Sequence, residues 1–227
     1  YDVLTEGRAV ALVMELLTGE PLSSRMAHGA MSFHELLQLL VPAMRGVAVG
    51  VSRQLPIYDL SHENTPYDIW EGAYRLKQAA PFWPAGTVFV SVIDPGVGTE
   101  RKATVLRTKS GHFFVGPDNG LLLVAADKLG GVDAAFALES EEHRLSPLSH
   151  TFHSRDVFAP AAAHLANGVE PSELGPPVDP ATLVRLDLPR AEVGSGRIRA
   201  TILYVDRYGN VQTNATGEDL QAAGFEP

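Results

Sequence analysis

The chain has 227 residues, 45% of them apolar and 20% charged, an ordinary composition for a soluble protein with ample material for a core. A formal net charge of -9 argues against nucleic acid or an anionic membrane as partner, since both want a basic patch. The absence of cysteine excludes disulfides, thiolate metal sites and cysteine nucleophiles. No stretch reads as a membrane span: the nearest apolar run, Ala9 to Leu17, carries Glu15 and is too short. No small-residue cleavage site follows it closely, unlike a signal peptide. The first residue is Tyr1 rather than Met, as in a fragment or a processed form.

In chain order, Gly7 to Glu20 predicts an amphipathic helix and Pro21 to Met31 a loop. Ser32 to Val51 predicts a helix, with Ser32 as N-cap and Glu35 three residues on. Its Pro42 predicts a kink or a break. Leu55 to Leu60 reads as a short strand ending at charge, with Asp59, His62 and Glu63. Tyr67 to Ala80 has Ile69, Ala73 and Leu76 at helical spacing. Val88, Phe89, Val90, Val92 and Ile93, interrupted only by Ser91, read as a strand buried on both faces.

Ala103 to Thr108 and His112 to Val115 predict two strands joined as a hairpin through Lys109, Ser110 and Gly111. Gly116 to Gly120 is a dense turn signal. A helix over Leu121–Leu129 and a strand over Ala134–Leu138 follow. Val157 to Asn167 predicts a helix closed by Gly168. Strands alternating with helices to about residue 168 indicate an α/β layered domain with a mainly parallel central sheet, over residues 1–180. After a proline-rich connector, Arg197 to Tyr204 alternates like an antiparallel strand. It opens a smaller all-β unit over residues 190–227.

Four constellations could carry chemistry. In the first, the buried strand ends on Asp94. Pro95, Gly96 and Gly98 then make a tight loop, and Arg101 follows within its reach. Ligands of open α/β sheets sit outside the carboxyl ends of strands; the alternative is a turn-capping acid and a surface charge. The second is His153 just before a helix start, where backbone dipoles favour a neutral imidazole able to act as a base. The same histidine could simply bond a carbonyl at the helix entrance. The third is Asp206 to Asn210, which suits either recognition of a polar small molecule or a hairpin turn. The fourth, Asp118 and Asn119, reads as turn and N-cap residues. No dinucleotide fingerprint, Walker sequence or Gly-x-Ser-x-Gly elbow is present. The eight histidines do not fall at metal-ligand spacings.

Taken together and in order, DPGVGTER at Asp94–Arg101, GPDNGLL at Gly116–Leu122, TFHSRDVFAPAAAHL at Thr151–Leu165 and DRYGNVQTN at Asp206–Asn214 resemble the S-adenosylmethionine hydroxide adenosyltransferases. These are the SAM hydrolases, relatives of the fluorinase and chlorinase enzymes. PIYDLSHE at Pro56–Glu63 and PFWPAGTVFVSV at Pro81–Val92 fit the same pattern, which runs from about residue 43 to residue 216. The resemblance implies an α/β domain followed by a small C-terminal β-barrel, incomplete here. It also implies a homotrimer binding SAM between the large domain of one subunit and the small domain of its neighbour. The implied reaction is attack of water or hydroxide on the ribose C5′, giving adenosine and L-methionine. Asp94, Arg101 and His153 would form the catalytic triad. Trp83, Ser154, Asp206 and Asn210 would bind substrate: Asp206 the methionine ammonium, Asn210 the adenine, and Trp83 the nucleoside face. No metal and no cofactor are implied.

The chain departs from the family pattern at both ends. It has no strand ending in Thr-Asp-Phe-Gly, so the first strand is expected to be missing or replaced, with an exposed sheet edge as a consequence. The later serine- and arginine-containing segments are absent. Ser154 follows His153 where the hydrolases have Gly and the fluorinase has Ser. The alternatives are therefore a non-catalytic relative that binds SAM or adenosine, an inactive fragment, and a halide-dependent synthase of 5′-halo-5′-deoxyadenosine. The acidic charge and lack of cysteine suit the cytoplasm, with an export signal on a missing N-terminus as the alternative.

Overall fold

A computed structural model describes residues 10–14, 33–187, 190–206 and 208–225. The chain divides into two compact units, residues 1–185 and residues 186–227.

The larger unit is built on a seven-stranded sheet. Its strands are β1 (Val10–Met14), β2 (Ile57–Ser61), β3 (Val88–Val92), β4 (Ala103–Thr108), β5 (Phe113–Pro117), β6 (Val132–Ala137) and β7 (Pro177–Val178), in the order β2-β1-β3-β5-β4-β6-β7. The sheet is mixed. β2, β1, β3 and β5 run parallel, while β4, β6 and β7 add antiparallel pairings. The parallel half holds Asp94. The expected hairpin is present, with Val105 opposite Val115.

The start of the chain corrects the sequence reading. Within Gly7 to Glu20, residues 10–14 form a strand, not a helix. Five consecutive apolar residues, VALVM, suit a strand covered on both faces, and pairing on two sides outweighs helical propensity. β1 pairs in parallel with β2 through Val10–Ile57 and with β3 through Val10–Val88. The place of a first strand is therefore filled, and no edge opens between β2 and β3. Ser32 and the predicted loop from Pro21 to Met31 lie outside the described residues.

Helices cover both faces. α1 (Phe33–Val51) runs through Pro42 without a break. Its Met44 joins a core with Val88, Val90 and Val92 of β3, and with Phe158, Ala162 and Leu165. The last two belong to α4 (Ala159–Ala166). The other face meets α2 (Ile69–Ala79) and α3 (Leu123–Lys128). A methyl group on Gly72 of α2 would sit 2.1 Å from Ile93 Cδ1, so α2 packs directly on the Ile93 side chain. Phe89 stacks on Phe114 beneath it at 5.1 Å. Alternation along β3 thus turns Ile93 toward α2 and Asp94 toward α4.

In the smaller unit, β8 (Glu192–Gly194) pairs with β9 (Arg197–Arg199), and β10 (Ile202–Val205) with β11 (Val211–Thr213). α5 (Gly217–Ala222) starts on a capping box of Thr216 and Asp219. The single strand expected over Arg197–Tyr204 is two strands. Thr201 leaves the ladder to donate its N–H to Asn214 Oδ1 at 2.7 Å. Among the described residues these are two separate two-stranded sheets.

Candidate active site

β3 carries Asp94 just past its carboxyl end, buried at 4% exposure. Its position is fixed from the next strand of the sheet. In the turn after β5, Asn119 Nδ2 donates to the carbonyl of Ile93 at 2.7 Å, and Asn119 Oδ1 accepts from the N–H of Leu121. The turn signal at Gly116–Gly120 therefore clamps the residue that precedes the carboxylate.

Arg101 returns to Asp94 across the loop. Its Nε donates to Oδ1 at 2.9 Å and to Oδ2 at 3.0 Å, and its Nη2 also donates to Oδ2. This two-pronged pairing is the strong form of the ion pair. Both side chains are nearly buried, and the guanidinium lies over the Phe158 ring, 5.2 Å from its centre. Nη2 also lies 3.1 Å from His153 Nδ1. A guanidinium can only donate, so Nδ1 is the acceptor and the imidazole proton sits on Nε2. Burial lowers the His153 pKa, and the Arg101 charge lowers it further; Asp94 and Asp156 oppose this less strongly. His153 is held neutral. Nη1 of Arg101 donates to none of the described residues.

His153 is presented by an unusual turn. Ser154–Phe158 form a single turn of π-helix ahead of α4, with the N–H of Ala159 reaching the carbonyl of Ser154. Such turns recur at functional sites. Asp156, fully buried, anchors it: Oδ2 accepts the N–H of Ser149 at 2.9 Å, and Arg155 caps both oxygens. Gly98 joins this segment to the Asp94–Arg101 loop. It has φ +77°, and a methyl group there would lie 2.7 Å from the carbonyl oxygen of His150.

The chain has counterparts among known proteins. Residues 36–175 match the model of the SAM hydroxide adenosyltransferase N-terminal domain. The chain is 46% identical over 182 residues to the (R)-S-adenosyl-L-methionine hydrolase of Salinispora arenicola, covering 80% of this chain and 69% of that protein. The chain belongs to the SAM hydroxide adenosyltransferase family. A fluorinase from an Actinoplanes species is 28% identical over 209 residues, covering 82% of this chain and 70% of that one. A crystal structure of an uncharacterized conserved protein from Thermotoga maritima superposes with a TM-score of 0.79 at 29% identity, covering 96% of this chain and 75% of that one.

All three triad positions fall inside the segment matched to the SAM hydroxide adenosyltransferases. The other expected site residues have different surroundings. Ser154 is buried as the first residue of the π turn. Trp83 lies before the amino end of β3, whereas Asp94 follows its carboxyl end. Its ring packs on Tyr58 at 5.5 Å and Phe89 at 6.3 Å, and its carbonyl lies 2.9 Å from His112 Nε2. Within this chain Trp83 thus lies at the opposite end of β3 from Asp94. Asp206 and Asn210 close the β10–β11 turn: Asp206 Oδ1 accepts the N–H groups of Tyr208 and Asn210, and Oδ2 accepts Asn210 Nδ2 at 2.7 Å. The Asn210 side chain is the first cause of a lowered Asp206 pKa.

Sequence reasoning missed the clamp of Asn119 and the anchor of Asp156. Both look like ordinary turn and helix-start residues, and only the fold brings Asn119 to Ile93. It also missed Tyr67, with φ +67° and 54% exposed. Nothing in an isolated Pro-Tyr-Asp sequence signals that conformation.

Proposed function

We propose that this chain hydrolyses S-adenosyl-L-methionine to adenosine and L-methionine, acting on the (R)-sulfonium form that names its hydrolase relatives. The observation that carries the reading is the bonded set Asp94–Arg101–His153 at the carboxyl end of a central strand, in a member of this family. The oxygen of a water attacks C5′ of the ribose, the C5′–S bond breaks, and its electron pair leaves on sulfur as neutral methionine thioether. One proton is released for each SAM consumed. Because the sulfonium leaves readily, the site's main task is to hold and orient the oxygen in a partly desolvated corner.

The residues divide that task. Arg101, locked by Asp94, turns its guanidinium charge to the nucleophile and stabilises hydroxide character. Asp94 balances the guanidinium charge and fixes its plane. His153 in this tautomer orients the oxygen through Nε2–H. Nδ1 takes up the released proton only when it gives up the guanidinium bond.

Several finer features belong to the same proposal. The smaller unit forms part of a β-barrel, and the protein works as a homotrimer in which a neighbouring copy completes each site. Ser154, Asp206 and Asn210 contribute to substrate binding. The reaction uses neither metal nor cofactor, and it takes place in the cytoplasm. The deciding experiment incubates the chain with SAM, with and without chloride, and separates the products by chromatography. Adenosine in both mixtures supports hydrolysis. A 5′-chloro-5′-deoxyadenosine peak would replace this reading with halide transfer, and intact SAM beside a folded chain would replace it with a non-catalytic relative.

A further inference from the structure

Ser154–Phe158 depart from ordinary helix geometry where the chain meets Arg101. Single π turns are rare, and they gather at functional sites. The spacing around this one has a geometric effect. His153 already has helical backbone angles, φ -60° and ψ -26°, and Phe158 follows five residues later. At 3.6 residues per turn, residues five apart lie about 140° apart around an α-helix. Hydrogen bonds from i to i+5 widen the turn and bring such a pair back toward one side. Both residues here reach the same side chain. His153 Nδ1 lies 3.1 Å from Arg101 Nη2, and Arg101 Cζ lies over the Phe158 ring, 5.2 Å from its centre.

The contacts on Arg101 restrain different motions. A guanidinium is planar, and its N–H groups point outward in that plane. The bonds from Nε and Nη2 to Asp94 therefore fix its direction within the plane. They leave the plane free to tilt about the line that joins the two groups. Tilting would carry Nη2 off His153 Nδ1 while the ion pair survived. A ring against the guanidinium face opposes that tilt. The Arg101 side chain is 9% exposed, and a desolvated cation feels the negative face of a ring most strongly. Phe158 itself has no room to retreat: it is fully buried in a core with Met44 of α1 and with Val90 and Val92 of β3.

We infer that Phe158 is a positioning residue for the hydrolysis: its ring sets the tilt of the Arg101 guanidinium and keeps Nη2 on His153, and the π turn is the register that presents both residues to one cation. The inference rests on the SAM hydrolase reading. Phe158 acts through Arg101 rather than on the substrate. Removing the ring would leave Arg101 paired with Asp94, but His153 would lose its fixed donor at Nδ1. The imidazole could then carry its proton on either nitrogen, and the Nε2–H that orients the oxygen would be present only part of the time.

The test compares the full chain with Phe158→Leu, which keeps an apolar side chain and removes the ring. Phe114→Leu is the control, because Phe114 is equally buried but stacks on Phe89, on the sheet face away from Asp94. NMR of chain labelled with 15N-histidine reads the ring tautomers at neutral pH, with His153→Gln used to assign the His153 signals. Steady-state kinetics with SAM read kcat and KM. The wild type is expected to show His153 protonated on Nε2 and not on Nδ1. Phe158→Leu should show averaging between the two tautomers. Its kcat should fall about tenfold with KM within about twofold, the pattern of an interaction made mainly in the transition state. Phe114→Leu should keep the wild-type ring signals and kcat.

Wild-type ring signals in Phe158→Leu would overturn the inference, and so would wild-type kcat. The same changes in Phe114→Leu would overturn it too, because they would mark a general loosening of the core. If Phe158→Leu fails to fold, Phe158→Met takes its place with the same expectations. A wild type that leaves SAM intact would remove the hydrolase reading, while the ring signals would still decide whether Phe158 holds the Arg101–His153 bond.

Discussion

Gly98 and the carbonyl of His150 leave no room between them for a methyl group, which would lie 2.7 Å from the oxygen. This contact ties the loop carrying Arg101 to the segment carrying His153. Gly98→Ala meets two penalties, a backbone clash and φ +77°, and either the loop or the segment must give way. Denaturant unfolding should show a loss of about 1–3 kcal/mol. Turnover of SAM should fall at least tenfold as Arg101 and His153 separate, with KM changed less than kcat.

Arg101→Lys should behave as a drastic change although it keeps the charge. A lysine cannot hold both oxygens of Asp94 and still reach Nδ1 of His153, because it lacks the planar fork. Removing one preorganised donor of this kind costs roughly 10²–10³ in kcat. Single-turnover assays should find that loss with SAM affinity largely kept. Activity near that of the wild type would remove Arg101 from the reaction.

Acid should disable the site below the ordinary histidine pKa of about 6.5. Burial and the Arg101 charge lower the His153 pKa. Protonation would set two cations face to face and convert Nδ1 from acceptor to donor. The kcat profile should therefore stay flat through neutrality and drop on the acid side. Stability shares the sign. Over this range the unfolded histidine binds a proton that the folded one refuses, so stability is complete above about pH 6.5 and declines as pH falls. His164, lowered by burial and by His143, adds to the same decline. His164→Gln should flatten the stability curve while leaving the acid limb of kcat in place; movement of both would show that His164 couples to the site.

Asn119→Ala removes the bond to Ile93. The net cost should be about 1 kcal/mol of stability. The loss in kcat should be larger than so small a destabilisation suggests, because the freed carbonyl immediately precedes Asp94. Urea unfolding and steady-state kinetics on the same preparation test the pair of effects.

Legibility in the sequence followed range of action. The apolar run from Val88 to Ile93 reveals a buried strand unaided, because burial on both faces leaves no polar alternation. The hairpin of β4 and β5 is equally local. Asp94, Arg101 and His153 stood out through turn glycines, a helix start and ordered motifs, and the fold brings the three together. Val10–Met14 was misread because a short apolar run carries no period of its own; its strand character comes from two partners, Ile57 and Val88 for Val10, that lie 47 and 78 residues downstream. Trp83 shows how neighbours in sequence part in space. Its motif is adjacent to the β3 strand in sequence, but a five-residue strand separates its two ends in space. The strained backbone at Tyr67 has no local signature.

The seating of β1 between β2 and β3 has a kinetic consequence. The hairpin of β4 and β5 closes over a handful of residues and can form early. β1 must instead find a slot whose two walls are themselves far apart along the chain, and both pairings are parallel. Such long-range closures are entropically costly before any contact rewards them. Insertion of β1 is therefore expected to come late in assembling the larger unit, and a chain in which it has not yet happened would present the edges of β2 and β3 to any other extended chain.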